Sequence, residues 1–309
     1  MTAAKLTPGP SRGAIERLGD LIFRPRPIER LAVLRILAPL AVVGFMSSRI
    51  AHADDWLSVA GFRVPAMPDW RQPVALPGLP VWLAWSVGVA LAVSGIATSL
   101  GFLTRWASGL FAALLAYVAL ADRLAAFTVS KISPVVMLVL CLTPSGARYS
   151  IDAWRARRRD PAIKLATHVT GGCVAFFQFM LPVFYFSSGI CKATGDWLTH
   201  RYVLWTHLHD SYQTTVSWLA ANHLPGWMWT AIQGAVLVFE CGAPLWFGLR
   251  WTRPFALAFG LGMHLTIGLM FGPVIWFSLL MMSLLIAGYA PERWLIRVFE
   301  WRPTRRRLR

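Results

Sequence analysis

Apolar residues in this chain come in long runs, and polar residues collect in the gaps between them. A helix needs about 20 apolar residues to cross the hydrocarbon core of a bilayer. Runs of that order lie at about 31–50, 80–103, 106–122, 130–146, 166–191, 228–248, 254–271 and 274–290. The pattern predicts an all-α fold: a polytopic membrane helix bundle of about eight transmembrane helices. The third and fourth runs are the least sharply divided, because Asp122, Arg123 and Lys131 crowd their junction. Residues 1–30 and 291–309 read as basic tails on a bundle spanning 31–290, the first with an interfacial helix over Ala14–Phe23. No signal peptide is expected. Residues 1–30 lack a short apolar core, and the first apolar run is long enough to stay in the membrane.

Composition and charge sharpen this picture. Hydrophobic residues make up 56% of the chain, well above an ordinary soluble domain. The net charge of +16 would suit a nucleic-acid partner, but its distribution suits a membrane better. With the N-terminus in the cytoplasm, the inner tails and loops receive 22 of the 30 lysines and arginines, the outer loops receive 7, and Arg35 lies within the first span. This positive-inside asymmetry predicts that both termini are cytoplasmic in a cell inner (plasma) membrane. The basic excess then answers to topology and anionic lipid, and no nucleic-acid partner is expected. Trp56, Trp70, Trp197, Trp227 and Trp251 flank the runs, where amphipathic rings prefer to sit. Cys141, Cys173, Cys191 and Cys241 form no C-x-x-C pair and read as small apolar fillers.

The candidate chemistry centres on Lys192. The stretch Ala166–Cys191 carries no formal charge, and it ends on Lys192, with Asp196 and Trp197 just beyond. On the predicted topology this end faces the periplasm or exterior. Such a lysine either snorkels to the headgroups or serves a function. Gln178, Tyr185 and Lys192 recur every seven residues, close to two helical turns, so they share one face. Ser188 and Gly189 keep that face small beside the amine. A polar stripe should look inward, toward a cavity or a hydrogen-bonded packing seam. Two later runs add Gln233 and Glu240, again seven apart, and His264 within Gly260-x-x-x-His264-x-x-x-Gly268-x-x-x-Gly272. Glu240 falls about 15 Å from the Arg250 end of its run at 1.5 Å per residue, near mid-span. Glu240 and His264 lie at similar depth on consecutive antiparallel helices, which would allow them to meet.

The stretch from Tyr185 to Trp197, YFSSGICKATGDW, resembles the Y-F-x-x-G-x-x-K-x-x-x-x-W segment of the vitamin K-dependent γ-glutamyl carboxylases. More broadly it is similar to the related bacterial HTTM (horizontally transferred transmembrane) family. Glu240, Trp246, His264 and the run Gly268-Leu269-Met270-Phe271 resemble a second family pattern. Leu31–Leu37, with Arg35, and Ser150-Ile151-Asp152 look like further landmarks. The resemblance covers roughly residues 28 to 290. It implies that Lys192 is the base toward a reduced, vitamin K-like lipid quinol. That quinol would be oxidised by O2 to an epoxide, with CO2 entering where carboxylation follows. Burial would favour the uncharged amine that such a base needs. Tyr185 or Ser188 would orient it, and His264 or Glu240 would line the quinol pocket or lock the helices.

The departures limit the resemblance. The carboxylases carry an asparagine–histidine pair where this chain has Val129-Ser130-Lys131-Ile132-Ser133-Pro134, without histidine. The large exterior domain that engages protein substrates is not seen before Arg309 either, so γ-carboxylation is not expected. Three classes remain: a quinol-dependent membrane enzyme that modifies a peptide or other substrate, a noncatalytic component that binds a peptide or lipid for a partner, as in peptide or toxin maturation, and a transporter. The transporter is disfavoured because no inverted repeat or broken-helix pair is evident. His200, His207, His209, Asp210 and His223 have ligand chemistry, but their place in a membrane-surface loop argues against a metal site. Trp205, His207 and His209 are instead expected to close the outer mouth of the pocket.

Overall fold

Lipid offers no partner to a bare peptide group, so the long apolar runs satisfy their backbones internally as helices. The structure is a computed structural model, and it describes residues 13–62, 76–121, 128–209 and 213–300. The chain opens with the amphipathic helix α1 (Ala14–Phe23) and the two-residue strand β1 (Arg26–Pro27), then enters the bundle through α2 (Glu29–Ala51). A short α3 (Ala53–Leu57) precedes α4 (Val81–Leu100), α5 (Thr104–Ala121) and α6 (Thr128–Leu142). The basic helix α7 (Ile151–Arg159) and strand β2 (His168–Val169) lead to α8 (Gly172–Ala193), which carries Lys192. Short helices α9 (Val203–His207) and α10 (Thr215–His223) connect to α11 (Gly226–Cys241) and α12 (Ala243–Gly248). Then follow α13 (Arg253–Met270), a 3-10 turn (Gly272–Val274), α14 (Ile275–Tyr289) and α15 (Glu292–Glu300).

Among the described residues, five segments are long and apolar enough to cross a membrane: α2, α4, α5, α8 and the stretch Gly272–Tyr289 that holds α14. Helix α6 is apolar but shorter. The remaining two of the eight expected runs differ for local reasons. The run 228–248 is interrupted at Gly242, and Pro244 opens α12, where its missing N–H breaks no ladder. The run 254–271 does form α13, but Arg253, Pro254, His264 and the glycines dilute its apolar character. Helix α2 runs through the centre. Leu34, Ala38, Val42 and Met46 on it are buried against α4 on one side and α14 on the other. At Gly44 the ring of Trp276 lies where a side chain would stand, so α2 and α14 touch backbone to ring.

One end of the bundle is tied by polar groups. Strand β1 pairs antiparallel with β2, Arg26 opposite Val169, which joins the start of α2 to the start of α8. Arg35 is fully buried and donates to the carbonyls of Ser99 (2.5 Å), Thr98 (3.4 Å) and Tyr149 (2.5 Å). The first two are carbonyls at the end of α4, which have no partner within the helix. Arg30 does the same for α14, donating to Ala287 O and Ala290 O, each at 2.8 Å. Asp152 accepts from the backbone N–H of Leu103 (2.9 Å) and Thr104 (2.7 Å) and from the Thr104 hydroxyl (2.7 Å), and so caps α5. Gly101 turns the chain between α4 and α5 with φ +70°, and a side chain there would lie 2.6 Å from Arg35 Nη1. Only glycine meets both demands.

The flanks are docked rather than loose. Arg26 pairs with Glu292 at 3.4 Å, and Arg148 pairs with Glu29 at 3.4 Å and Glu300 at 3.6 Å. The Tyr149 hydroxyl donates to Glu29 at 3.0 Å. Burial, and then that hydrogen bond to a carboxylate, push the Tyr149 phenol up to about 12. The loops 101–105 and 143–165 and helix α15, which the charge pattern assigns to one side of the membrane, thus meet at one end.

Two outcomes are expected here. Asp152→Ala should lower stability in detergent by about 1–3 kcal/mol, as for a lost helix cap with buried donors left unpaired. Asp152→Asn should cost less, since one oxygen still accepts, and denaturant midpoints give the order. For Tyr149, the fold favours the protonated phenol. Its contribution is therefore full below the ordinary tyrosine range near 10 and fades as pH rises through about 12. Unfolding followed from pH 9 upward should show an alkaline decline that is smaller in Tyr149→Phe.

Candidate functional site

The polar stripe of α8 does look inward, and each of its members finds a different partner. Gln178 Nε2 donates to Gly288 O on α14 at 2.7 Å, and the Tyr289 hydroxyl returns a hydrogen bond to Gln178 O. Tyr185 Oη lies 2.7 Å from His264 Nε2 on α13. Lys192 Nζ donates to both carboxylate oxygens of Glu240, at 2.5 and 2.6 Å. Gln178 therefore belongs to a packing seam, while Tyr185 and Lys192 belong to a cavity.

Gly189 sets the Lys192–Glu240 contact. It is buried one turn before Lys192, and a side chain on it would lie 2.7 Å from the backbone nitrogen of Cys241. Without that side chain α8 approaches the end of α11 directly, which brings the Glu240 carboxylate to the amine. The break after α11 makes this possible. Glu240 is the second-last residue of that helix, whereas the unbroken run set it near the middle of one longer helix. The carboxylate side chain is 6% exposed and the lysine side chain 24% exposed, so the amine is open to a small extent on one side. The Trp197 ring faces the ammonium at 4.9 Å, a cation–π contact.

The cavity beside the pair holds about 520 Å³. Helix α8 supplies Phe184, Tyr185, Ser187, Ser188 and Lys192, and α11 supplies Glu240. Helix α13 supplies Met263, His264 and Ile267, α14 supplies Phe277 and Met281, and α6 supplies Thr128, Lys131 and Ile132. Volume and mixed lining match a small-molecule site: mostly apolar walls with a few placed polar groups. Around Tyr185 the packing is aromatic, with Phe239 at 5.3 Å and Phe247 at 6.0 Å between centroids. On the other side of His264 the Phe277 ring stands edge-on at 5.5 Å. The glycine strip of α13 faces α14 as its spacing implied: Gly260 lies against Leu285, and Gly268 against Ser278 and Ile275.

Several expectations need correction. Glu240 and His264 share the cavity wall, but each is bonded to a residue of α8 rather than to the other. Asp196 is exposed and lines no part of the cavity. His207 and His209 are exposed, and their Nδ1 atoms lie 2.7 and 2.9 Å from carbonyls of their own helical turns, those of Val203 and Trp205. Trp205, His207 and His209 are not among the residues that line the cavity. Their segment is held on α11 instead, where Gln233 Nε2 donates to Trp197 O (2.7 Å) and His200 O (2.9 Å). Asp210 lies outside the described residues. Among those described, no three His, Cys, Asp or Glu are grouped to hold a metal ion.

Helix α6 adds residues that the charge pattern alone does not single out: Lys131, which crowds the junction of the third and fourth apolar runs, faces the same cavity as Lys192, together with Thr128 and Ile132. The available signal was their spacing of three and four at the head of an apolar helix, which puts them on one face.

The fold and site define a multi-pass membrane helix bundle with an internal amine–carboxylate pair. The HTTM domain model matches residues 23–294, and the chain belongs to that family. No curated protein and no solved structure matches it.

The pair gives a stability expectation. Glu240→Leu should strand a partly buried ammonium and cost about 1–3 kcal/mol, less than a fully buried pair because the amine is partly open to solvent. Lys192→Met should cost a similar amount. The double replacement should recover most of the loss. Simple addition of the two single costs, read from denaturation in detergent, would show that the groups do not interact.

Proposed function

We propose that the protein is a membrane enzyme of the carboxylase-related type, in which Lys192 takes a proton from an acidic hydroxyl of a lipid quinol. The observation that carries this reading is that Lys192 borders an internal cavity and is held by Glu240, rather than lying free among headgroups. In this reading both termini are cytoplasmic and the site faces the outer side of a plasma membrane.

The cavity suits such a ligand. An aromatic ring would contact Ile132, Phe184, Met263, Ile267, Phe277 and Met281, and its oxygens would meet Lys192 and Tyr185. Bound there, a quinol would supply an acidic hydroxyl and, with oxygen, a source of strong base. The chain itself supplies the handling of one proton. On Lys192 Nζ, that proton makes Lys192 and Glu240 an ion pair. On the Glu240 carboxyl, it leaves a neutral pair joined by one hydrogen bond. Separated charges are costly away from water. A ligand that fills the cavity removes water from the partly open side of the amine and so favours the neutral arrangement, in which Lys192 is a free base. Burial alone does not produce the uncharged amine in this scheme. Glu240 receives the proton, so the change is a transfer within the pair.

The segment Val129–Pro134, which the resemblance sets against the asparagine–histidine pair of the carboxylases, holds no histidine, and its Lys131 lines the cavity. This supports modification of a peptide or another substrate by a route other than γ-carboxylation.

Purified protein in detergent, given a panel of reduced quinones and oxygen, should convert one of them to its epoxide, detected by mass spectrometry. Lys192→Ala and Lys192→Arg should each abolish turnover. Arginine can keep the pairing with Glu240 but cannot supply a neutral base. Full activity in Lys192→Arg would instead favour a noncatalytic component that uses the cation as an anchor for a lipid or peptide.

A further inference from the structure

The Tyr185–His264 hydrogen bond on the cavity wall takes no part in the proton exchange between Lys192 and Glu240. His264 is 2% exposed, and its Nδ1 is enclosed with no hydrogen-bond partner among the described residues. Its Nε2 is engaged with Tyr185 Oη at 2.7 Å. A neutral imidazole carries one N–H, so two arrangements are available. If the Tyr185 hydroxyl donates to Nε2, the hydrogen sits on Nδ1 and a buried donor has no acceptor. If Nε2–H donates to Tyr185 Oη, Nδ1 keeps only a lone pair, and the phenolic hydrogen is free to turn elsewhere. Orphaned buried N–H groups are rarer in proteins than under-used acceptors. The second arrangement is therefore favoured. The Tyr185 hydroxyl borders the cavity, and its ring is fixed by Phe239 and Phe247.

Tyr185 and Lys192 are seven residues apart on one face of α8, about 10 Å along the axis. The wall around them is largely apolar. A ligand held by both residues must carry a polar atom toward each, with an apolar body between them. We propose that the cavity takes an aromatic ring oxygenated at both ends, with one oxygen at Lys192 and the other accepting a hydrogen bond from Tyr185, which His264 holds in position. This rests on the quinol reading above and adds a second anchoring point to it. Tyr185 is a binding residue here, and His264 is a positioning residue.

The test measures binding without turnover. A para-naphthoquinone and a one-oxygen ketone of the same ring and side chain are equilibrated with the protein by dialysis in detergent, and bound ligand is quantified by mass spectrometry. Wild type should bind the two-oxygen ligand more tightly. Tyr185→Phe keeps the ring packing and should weaken quinone binding roughly fivefold to tenfold, the measure of one hydrogen bond, while leaving the one-oxygen ligand unchanged. His264→Phe should repeat that loss, and His264→Gln, which retains an N–H donor, should recover part of it. Equal weakening of both ligands in Tyr185→Phe, or no weakening, overturns the inference and leaves the role of Lys192 standing. Failure of wild type to bind any quinone overturns both.

Discussion

A polar side chain inside a membrane bundle must find a partner on a neighbouring helix, because lipid gives it none. Helix α8 carries three such side chains on one face, and that requirement organises the helices around it. Gln178 fastens it to α14, Tyr185 to α13, and Lys192 to the end of α11. The links are specific because each donor needs its own acceptor at a set depth along the helix. Apolar packing then fills the intervals, with Leu181 buried between the levels of Gln178 and Tyr185. The cavity lies between the upper two links. It is bounded by residues that also hold the helices to one another.

The opposite end of the molecule solves a different problem. Helices that end there expose carbonyls and N–H groups without partners. Arg30 and Arg35 reach from α2 to the carbonyl ends of α14 and α4, and Asp152 reaches from α7 to the amide end of α5. Guanidinium groups suit this task because several donors project in one plane and can reach carbonyls on different segments. The arginine within the first span, which looks anomalous in an apolar helix, is therefore a cap for other helices. Catalytic chemistry is not needed to explain Arg35 or the Ser-x-Asp segment. A resemblance to a family marks structural residues as readily as functional ones.

Much of this was legible in the chain. The seven-residue spacing on α8 gave the correct face, and the glycine spacing on α13 marks a face of close approach, though not the helix it meets. Helix α1 occupies the residues expected of it. What failed were inferences about depth and about pairing between distant segments. Glu240 seemed to lie mid-span because 228–248 is apolar throughout, and apolar character does not reveal that Gly242 and Pro244 end one helix and begin another. Once that break is known, the carboxylate moves to a helix end, where Gly189 admits it to Lys192. The histidines after α8 misled for the opposite reason. Their chemistry suggested a site, while their Nδ1 atoms are taken up by nearby carbonyls.

In the proposed function the break after α11 also bears on how the amine would work. A carboxylate touching the amine through both oxygens would change the problem from removing a charge to moving a proton between two neighbours. That movement would need little rearrangement, would leave no unpaired ion behind, and would respond to how wet the cavity is. Filling the cavity with an apolar ring would then do two things at once. It would place an acidic hydroxyl beside the amine, and it would shift the shared proton toward Glu240. Occupancy and basicity would rise together, so the base would be generated only when there is something for it to deprotonate.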